Sequence, residues 1–185
     1  KYNSMKNIVF MMDIKLDDNS GRYASERSLP YKYSINSWNH WCKKNDVELF
    51  VLEELVVTKE VMSICWQRYY LFDILEANGL KYDQVLMIDS DTIIHPDCPN
   101  FFKMTDHKYT GVHNEGSYDW ILRSIENYSQ HIFDRQMIDW WKYINGGFQI
   151  VNKEHIQFFQ NIINFYFANQ DNLIKMQETF HTGTD

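Results

Sequence analysis

The apolar positions of this chain fall into short continuous runs separated by longer stretches in which they recur every three or four residues. Asn7 to Ile14 (NIVFMMDI), Val47 to Leu52 (VELFVL) and Val85 to Ile88 (VLMI), the last continued by Thr92-Ile93-Ile94, have the length and continuity of strands buried on both faces. Between them, Tyr31 to Asn45 repeats Ile35, Trp38, Trp41 and Cys42 at helical steps. Lys59 to Asn78 does the same with Cys65, Tyr69, Phe72 and Leu75, and Gly79 supplies a stop. Lys15 to Ser28 is polar and reads as a loop. Further on, Tyr109 to Asn114 predicts a short strand, and Ser117 to Gln130 reads equally as helix or loop. Phe148 to Asn152 predicts a strand, and Glu154 to Ala168 a helix with Ile156, Phe159, Ile163 and Phe167 in its stripe. Strands alternating with helices imply an α/β fold with a mostly parallel central sheet and helices on both faces. No repeat or Pro/Gly linker divides the 185 residues, so a single domain spanning 1–185 is expected.

The run Val85-Leu86-Met87-Ile88 leads straight into Asp89-Ser90-Asp91. In an extended chain residues i and i+2 point the same way, so both carboxylates would leave the core together. Such a pair is costly without a positive partner, and oxygen donors in an incomplete shell suit Mg²⁺ or Mn²⁺. Arg68 sits near the edge of the apolar stripe of its helix, within reach of a phosphate or an aspartate. Asn145-Gly146-Gly147-Phe148-Gln149 is the second chemical patch. Its glycines permit positive φ and close approach by a ligand, and its amides suit sugar hydroxyls. Trp140 and Trp141 precede it and offer an apolar face to a sugar ring. His113, Asn114 and Glu115 end another expected strand, and His181 and Asp185 lie in a terminal turn, where each has the chemistry of a ligand or base. The other histidines show no metal-binding spacing, and no G-x-S-x-G, P-loop or G-x-G-x-x-G is present.

Charge narrows the partners. Eighteen basic against 25 acidic residues give a formal charge of −7, with no basic stripe, which argues against nucleic acid. An acidic chain that binds a nucleotide diphosphate needs a metal or a few placed cations. Cys42, Cys65 and Cys98 form no C-x-x-C and read as reduced core residues. Neither a membrane span nor a signal peptide is visible, so a cytoplasmic location is expected. The start at Lys1 and the turn-like His181-Thr182-Gly183-Thr184 at the end lead us to expect further residues on either side.

Together these features resemble the GT-A class of nucleotide-sugar glycosyltransferases. The resemblance rests on the strand NIVFMMDI, the segment Trp66-Gln67-Arg68-Tyr69-Tyr70, the D-x-D motif at Asp89-Ser90-Asp91, and Asn145-Gly146-Gly147-Phe148-Gln149-Ile150-Val151. It implies a metal-dependent enzyme transferring a sugar from a UDP- or GDP-sugar to the hydroxyl of a glycan or other acceptor. By the same resemblance Asp91 would hold Mn²⁺ or Mg²⁺, Asp89 would bind that metal or the ribose of the nucleotide, and Ser90 would lie beside the nucleotide. Arg68 would contact the diphosphate or brace the aspartates, and Phe10, Met12 and Asp13 would line the base pocket. Asn145, Gly146, Gly147 and Gln149 would hold sugars, Gln149 and Asp185 would serve catalysis, and a further metal-binding histidine would lie beyond Asp185. Two other readings remain open: a haloacid-dehalogenase-type phosphatase with Asp89 as nucleophile, and a non-catalytic nucleotide-sugar or glycan-binding domain.

Overall fold

A computed structural model describes residues 5–14, 24–114 and 116–181, with side chains in the first helix from residue 31 onward. Five strands, β1 (Lys6–Met12), β2 (Glu48–Leu52), β3 (Tyr82–Ile88), β4 (Thr110–His113) and β5 (Ile144–Val151), form one sheet in the order β2-β1-β3-β5-β4. β1 runs parallel to β2 and β3, whereas β5 runs antiparallel to both β3 and β4. The sheet is therefore mixed rather than mostly parallel. The expectation of parallel strands assumed a crossover helix before each one. Instead, the chain between β3 and β5 passes through β4 at the sheet edge and returns in the opposite direction.

Alternation along β1 and β3 divides the core into two layers. Ile8, Phe10, Val85 and Met87 point to one face and Val9, Met11, Leu86 and Ile88 to the other, all nearly inaccessible to solvent. The first face is covered by α2 (Leu71–Ala77), the 3₁₀ segment Ile64–Tyr70 before it, and α4 (Ile156–Phe180); the second is covered by α1 (Ala24–Asn45). α1 buries Trp38, Trp41 and Cys42, the stripe its spacing predicts. It begins at Ala24, seven residues ahead of the expected start, and runs through Pro30. The expected helix over residues 59–78 is instead a 3₁₀ segment passing into a short α-helix. The segment left open between helix and loop is a helix, α3 (Tyr118–His131), capped by Ser117, whose Oγ accepts from the Trp120 amide. In α4 the buried positions are Phe159, Tyr166, Leu173 and Met176, and Phe167 is exposed. Eight residues beyond Phe159, at about 100° per residue, Phe167 has rotated off the stripe that Tyr166 continues. No described helix is long and apolar enough to cross a membrane.

Burial pushes the Cys42 thiol from 9.0 up to about 12. The proton is thus held more tightly in the folded protein than in the unfolded one. Its contribution to stability is complete below pH 9.0 and is lost as the pH climbs from there through about 12. Cys65 and Cys98 are only partly buried. A thiol-disulfide dye at neutral pH should therefore leave Cys42 unmodified in the native protein and label it once denatured. Rapid native labelling of Cys42, located by mass spectrometry, would contradict its placement.

Candidate functional site

The carboxyl ends of β1 and β3 lie side by side, because the two strands are parallel with Phe10 opposite Met87. In open α/β sheets this is where ligands gather. Asp89 is the first residue beyond β3, and β5 meets it from the opposite direction: the Asp89 amide donates to the Gly147 carbonyl at 3.1 Å. Thus the Asp89-Ser90-Asp91 and Asn145-Gly146-Gly147 segments, far apart in sequence, share one edge of the sheet.

Arg68 joins them. Its Nη1 stands 2.7 Å from Asp89 Oδ1 and donates to the Gly146 carbonyl at 3.2 Å, while its Nε donates to the Cys65 carbonyl at 2.9 Å. The Arg68 side chain is only 10% exposed and that of Asp89 37%. A guanidinium presents its donors in a fixed fork, which suits a position where a carboxylate and a carbonyl must be held together. The positive partner that the Asp pair calls for is, for Asp89, this arginine.

The other oxygen of Asp89 accounts for Gly147. A Cβ built on Gly147 would stand 2.0 Å from Asp89 Oδ2 and 2.5 Å from its Cγ. Glycine is required here for space. The positive φ expected for this pair is not found, since Gly146 and Gly147 lie within β5 and the positive-φ glycine among the described residues is Gly79. Asn145 folds back on the same turn, its Oδ1 accepting from the Gly147 amide at 2.7 Å.

A cleft of about 180 Å³ opens at this edge, lined by Asp89, Asn114, Trp120, Tyr143 and residues 144–147. Gln149, expected at the reacting centre, is instead 2% exposed and outside the lining. Its Nε2 donates to the Gly146 carbonyl at 2.9 Å and its Oε1 accepts from the Tyr109 hydroxyl at 2.8 Å. It braces the glycine turn from behind, and burial raises the Tyr109 phenol pKa, keeping that group a neutral donor. Phe10 is a core residue with no exposed surface, stacked on Phe50. Met12 and Asp13 remain half-buried at the end of β1, where the Asp13 amide donates to the Leu52 carbonyl.

The strand geometry does not extend through the D-x-D segment. The chain turns at Ser90 and Asp91, closed by the Thr92 hydroxyl donating to the Asp89 carbonyl at 2.7 Å, and Trp38 Nε1 of α1 donates to that hydroxyl at 3.0 Å. The i, i+2 alternation therefore stops at Ile88. Asp91 is exposed, Ser90 half-buried, and the chain re-enters the core at Ile94. A hard divalent cation accepts carboxylate oxygens and completes its shell with water and phosphate. Asp89 and Asp91 match that donor type. No group of three or more His, Cys, Asp or Glu positioned to hold a metal occurs among the described residues. Glu115 and Asp185 lie outside the described residues, and His181, exposed, closes α4 in the left-handed conformation.

Trp120, Tyr143 and Ile144 had no motif to announce them. The signal available was the density of aromatic residues on either side of the glycine turn, together with the Ser117 cap that starts α3 toward the cleft.

No family model matches the chain, and no curated protein does. Among solved structures its fold is similar to that of a glycosyltransferase involved in the glycosylation of the major capsid of PBCV-1. The TM-score is 0.58 at 12% identity, over 95% of this chain and 75% of that one. A protein from STIV is also similar, with a TM-score of 0.41 and 12% identity over 83% of this chain and 68% of its own. The chain thus has an α/β fold of the kind seen in a glycosyltransferase, built on a five-stranded mixed sheet with helices on both faces.

Proposed function

We propose that this protein is a glycosyltransferase that moves a sugar from a UDP- or GDP-sugar to an acceptor hydroxyl, assisted by Mn²⁺ or Mg²⁺ at Asp89-Ser90-Asp91. The observation that carries this reading is the three-way contact of Arg68, Asp89 and the Gly146-Gly147 turn at the carboxyl edge of β3, opening on a cleft lined by polar groups. The absence of a side chain at Gly147 leaves the room in which Asp89 Oδ2 is held beside the cleft. The exposed Asn145 and the half-buried Asn114 bring amides suited to hydroxyls of the transferred sugar.

The reaction breaks a sugar–phosphate bond and leaves a nucleoside diphosphate carrying growing negative charge. A bound metal would act as a Lewis acid toward that diphosphate. Asp91 and Asp89 would hold it. Arg68 fixes the Asp89 carboxylate so that it need not reorganise during transfer, and its own charge adds a fixed positive field behind the site. Gln149 and Tyr109 keep the Gly146 carbonyl turned toward Arg68 and out of the substrate's way. Trp120 and Tyr143, with ring centroids 6.4 Å apart, wall the cleft on one side.

Titration calorimetry of UDP and GDP with and without Mn²⁺ tests this directly. One nucleotide should bind only in the presence of the metal, and Asp91→Asn should weaken that binding by at least about tenfold, equivalent to some 1.4 kcal/mol. Absence of nucleotide binding, or binding indifferent to metal, would remove the transferase reading. An unchanged titration for Asp91→Asn would take that residue out of the site. A covalent phosphoryl adduct trapped on Asp89 with phosphomonoesters would favour the phosphatase instead.

A further inference from the structure

Beside the cleft three aromatic rings stand in solvent: Tyr118 at 60%, Trp140 at 50% and Trp141 at 52% exposure. Large aromatic groups are costly to leave wet, and a cluster of them marks a binding surface more often than a chance arrangement. They are not packed flat against one another. Trp140 meets Tyr118 edge-on at 6.0 Å and 82°, and Trp141 edge-on at 5.9 Å and 85°. In each such contact the edge of one ring lies on a face of the other, and the exposures show that ring surface of all three remains open.

The corner is joined to the cleft through both segments that carry it. Tyr118 opens α3, whose first turn also supplies Trp120 to the cleft wall, and Trp140 and Trp141 stand in the 3₁₀ turn directly before Tyr143, Ile144 and Asn145. That turn is fixed in place: the Tyr143 amide donates to the Trp140 carbonyl at 3.2 Å, the Asn114 amide donates to the Tyr143 carbonyl at 3.2 Å, and Lys142 pairs with Asp139 at 2.8 Å.

We propose that this corner is the acceptor platform, and that the acceptor is a neutral pyranoside glycan whose apolar ring face lies on Trp140 or Trp141. This rests on the transferase reading above. Three observations select the occupant. The platform adjoins the cleft through Tyr143, whose amide donates to the Trp140 carbonyl, and an acceptor hydroxyl has to arrive at that cleft. Its surface is made of ring faces, whose negative quadrupole attracts the C–H groups of one side of a sugar, and the amides of Asn114 and Asn145 lie beyond it to take hydroxyls. Beside the rings Lys142 is matched by Asp139 and Arg123 by Asp119, so these two cations bring no net positive charge to draw an anionic sugar. A protein partner is the competing occupant, and it predicts no saccharide affinity.

The test uses the whole protein with cellobiose, lactose and mannobiose as probes, followed by tryptophan fluorescence and by saturation-transfer NMR. At least one disaccharide should bind saturably. Trp140→Ala and Trp141→Ala, both at exposed positions, should weaken binding by about tenfold in one or both variants, the scale expected for loss of an aromatic contact. Trp140→Phe should retain part of the affinity because a ring face remains. The same variants are titrated with UDP, GDP and Mn²⁺, and their nucleotide affinity should be unchanged. If nucleotide binds but none of the disaccharides does, or if both alanine variants bind sugar like the parent, the platform is refuted and the transferase reading stands. If sugar binds at the tryptophans but no nucleotide binds to any form, the platform holds and the transferase reading fails in favour of a glycan-binding domain.

Discussion

Replacing Gly147 with alanine is expected to unseat Asp89, lowering Tm by about 5 °C and weakening metal-dependent nucleotide binding by at least about tenfold. The alanine Cβ would lie 2.0 Å from Asp89 Oδ2, 2.5 Å from its Cγ and 3.0 Å from Asn145 Oδ1, so something must move. The carboxylate has little freedom to do so, since its other oxygen is held by Arg68 at 2.7 Å. If β5 retreats instead, the bond from the Asp89 amide to the Gly147 carbonyl is lost along with local sheet pairing. Both routes have the cost of an overpacked site, about 1–3 kcal/mol. Backbone strain adds nothing, because Gly147 does not adopt a positive φ. Gly111→Ala is the matched control: it too lies in the sheet, and its added Cβ meets Ile144 Cδ1 at 3.4 Å, an ordinary contact. Melting curves and calorimetry on the two variants should separate cleanly. A Gly147→Ala protein that matches the parent in both would mean that Asp89 does not pack on this strand.

That prediction could not have been drawn from the sequence, and the reason is instructive. The strands β1, β2 and β3 and the buried stripe of α1 are written in local periodicity, which is why Trp38, Trp41 and Cys42 appear where their spacing puts them. The direction of β5 is not local. It depends on how the 55 residues from Asp89 to Tyr143 travel, and a short apolar run reads the same in either direction. With the direction of β5 unknown, the partner of the Gly-Gly pair was unknown too, and both glycines were credited with positive φ when the use of Gly147 is to admit a carboxylate.

The D-x-D segment shows the same limit from the other side. Two aspartates after a buried strand mark the end of β3, where the proposed site lies, but the alternation that would align them ends where the chain turns at Ser90 and Asp91. What differentiates the two carboxylates is tertiary: Asp89 meets Arg68 from the 3₁₀ segment, and Asp91 stays in solvent. Arg68 itself was partly legible, as a cation at the margin of an apolar stripe. The burial of Phe10 and Gln149 was not legible, because a strand's residue types do not state which face meets the core and which meets a ligand. Here β1 is buried on both faces at Phe10, and the Gln149 amide is spent on Gly146 and Tyr109.

Arg68→Met should produce the largest loss of stability of any single change at this site. Methionine keeps much of the length and the apolar stem but removes the charge and the donors. The Asp89 carboxylate and the Gly146 carbonyl would then each lose a partner now at 2.7 Å and 3.2 Å. Breaking a fully buried pair costs about 3–5 kcal/mol; because the Asp89 side chain is 37% exposed and water can take over part of the solvation, about 2–3 kcal/mol is expected. Urea denaturation should report it as a lower midpoint at unchanged slope. Arg68→Lys should recover part of the loss, since an ammonium supplies charge without the planar fork. Asp89→Asn separates support from function. In the Arg68→Met background it removes the stranded charge, so the double variant should be less destabilised than the two single losses combined, with a coupling of about 1–3 kcal/mol. Nucleotide binding should not return with the stability, because the proposed function makes Asp89 a metal ligand and asparagine lacks its charge. Additive effects in the denaturation series would show that Arg68 and Asp89 do not act as a pair, and recovered metal-dependent binding in the double variant would remove Asp89 from the metal site.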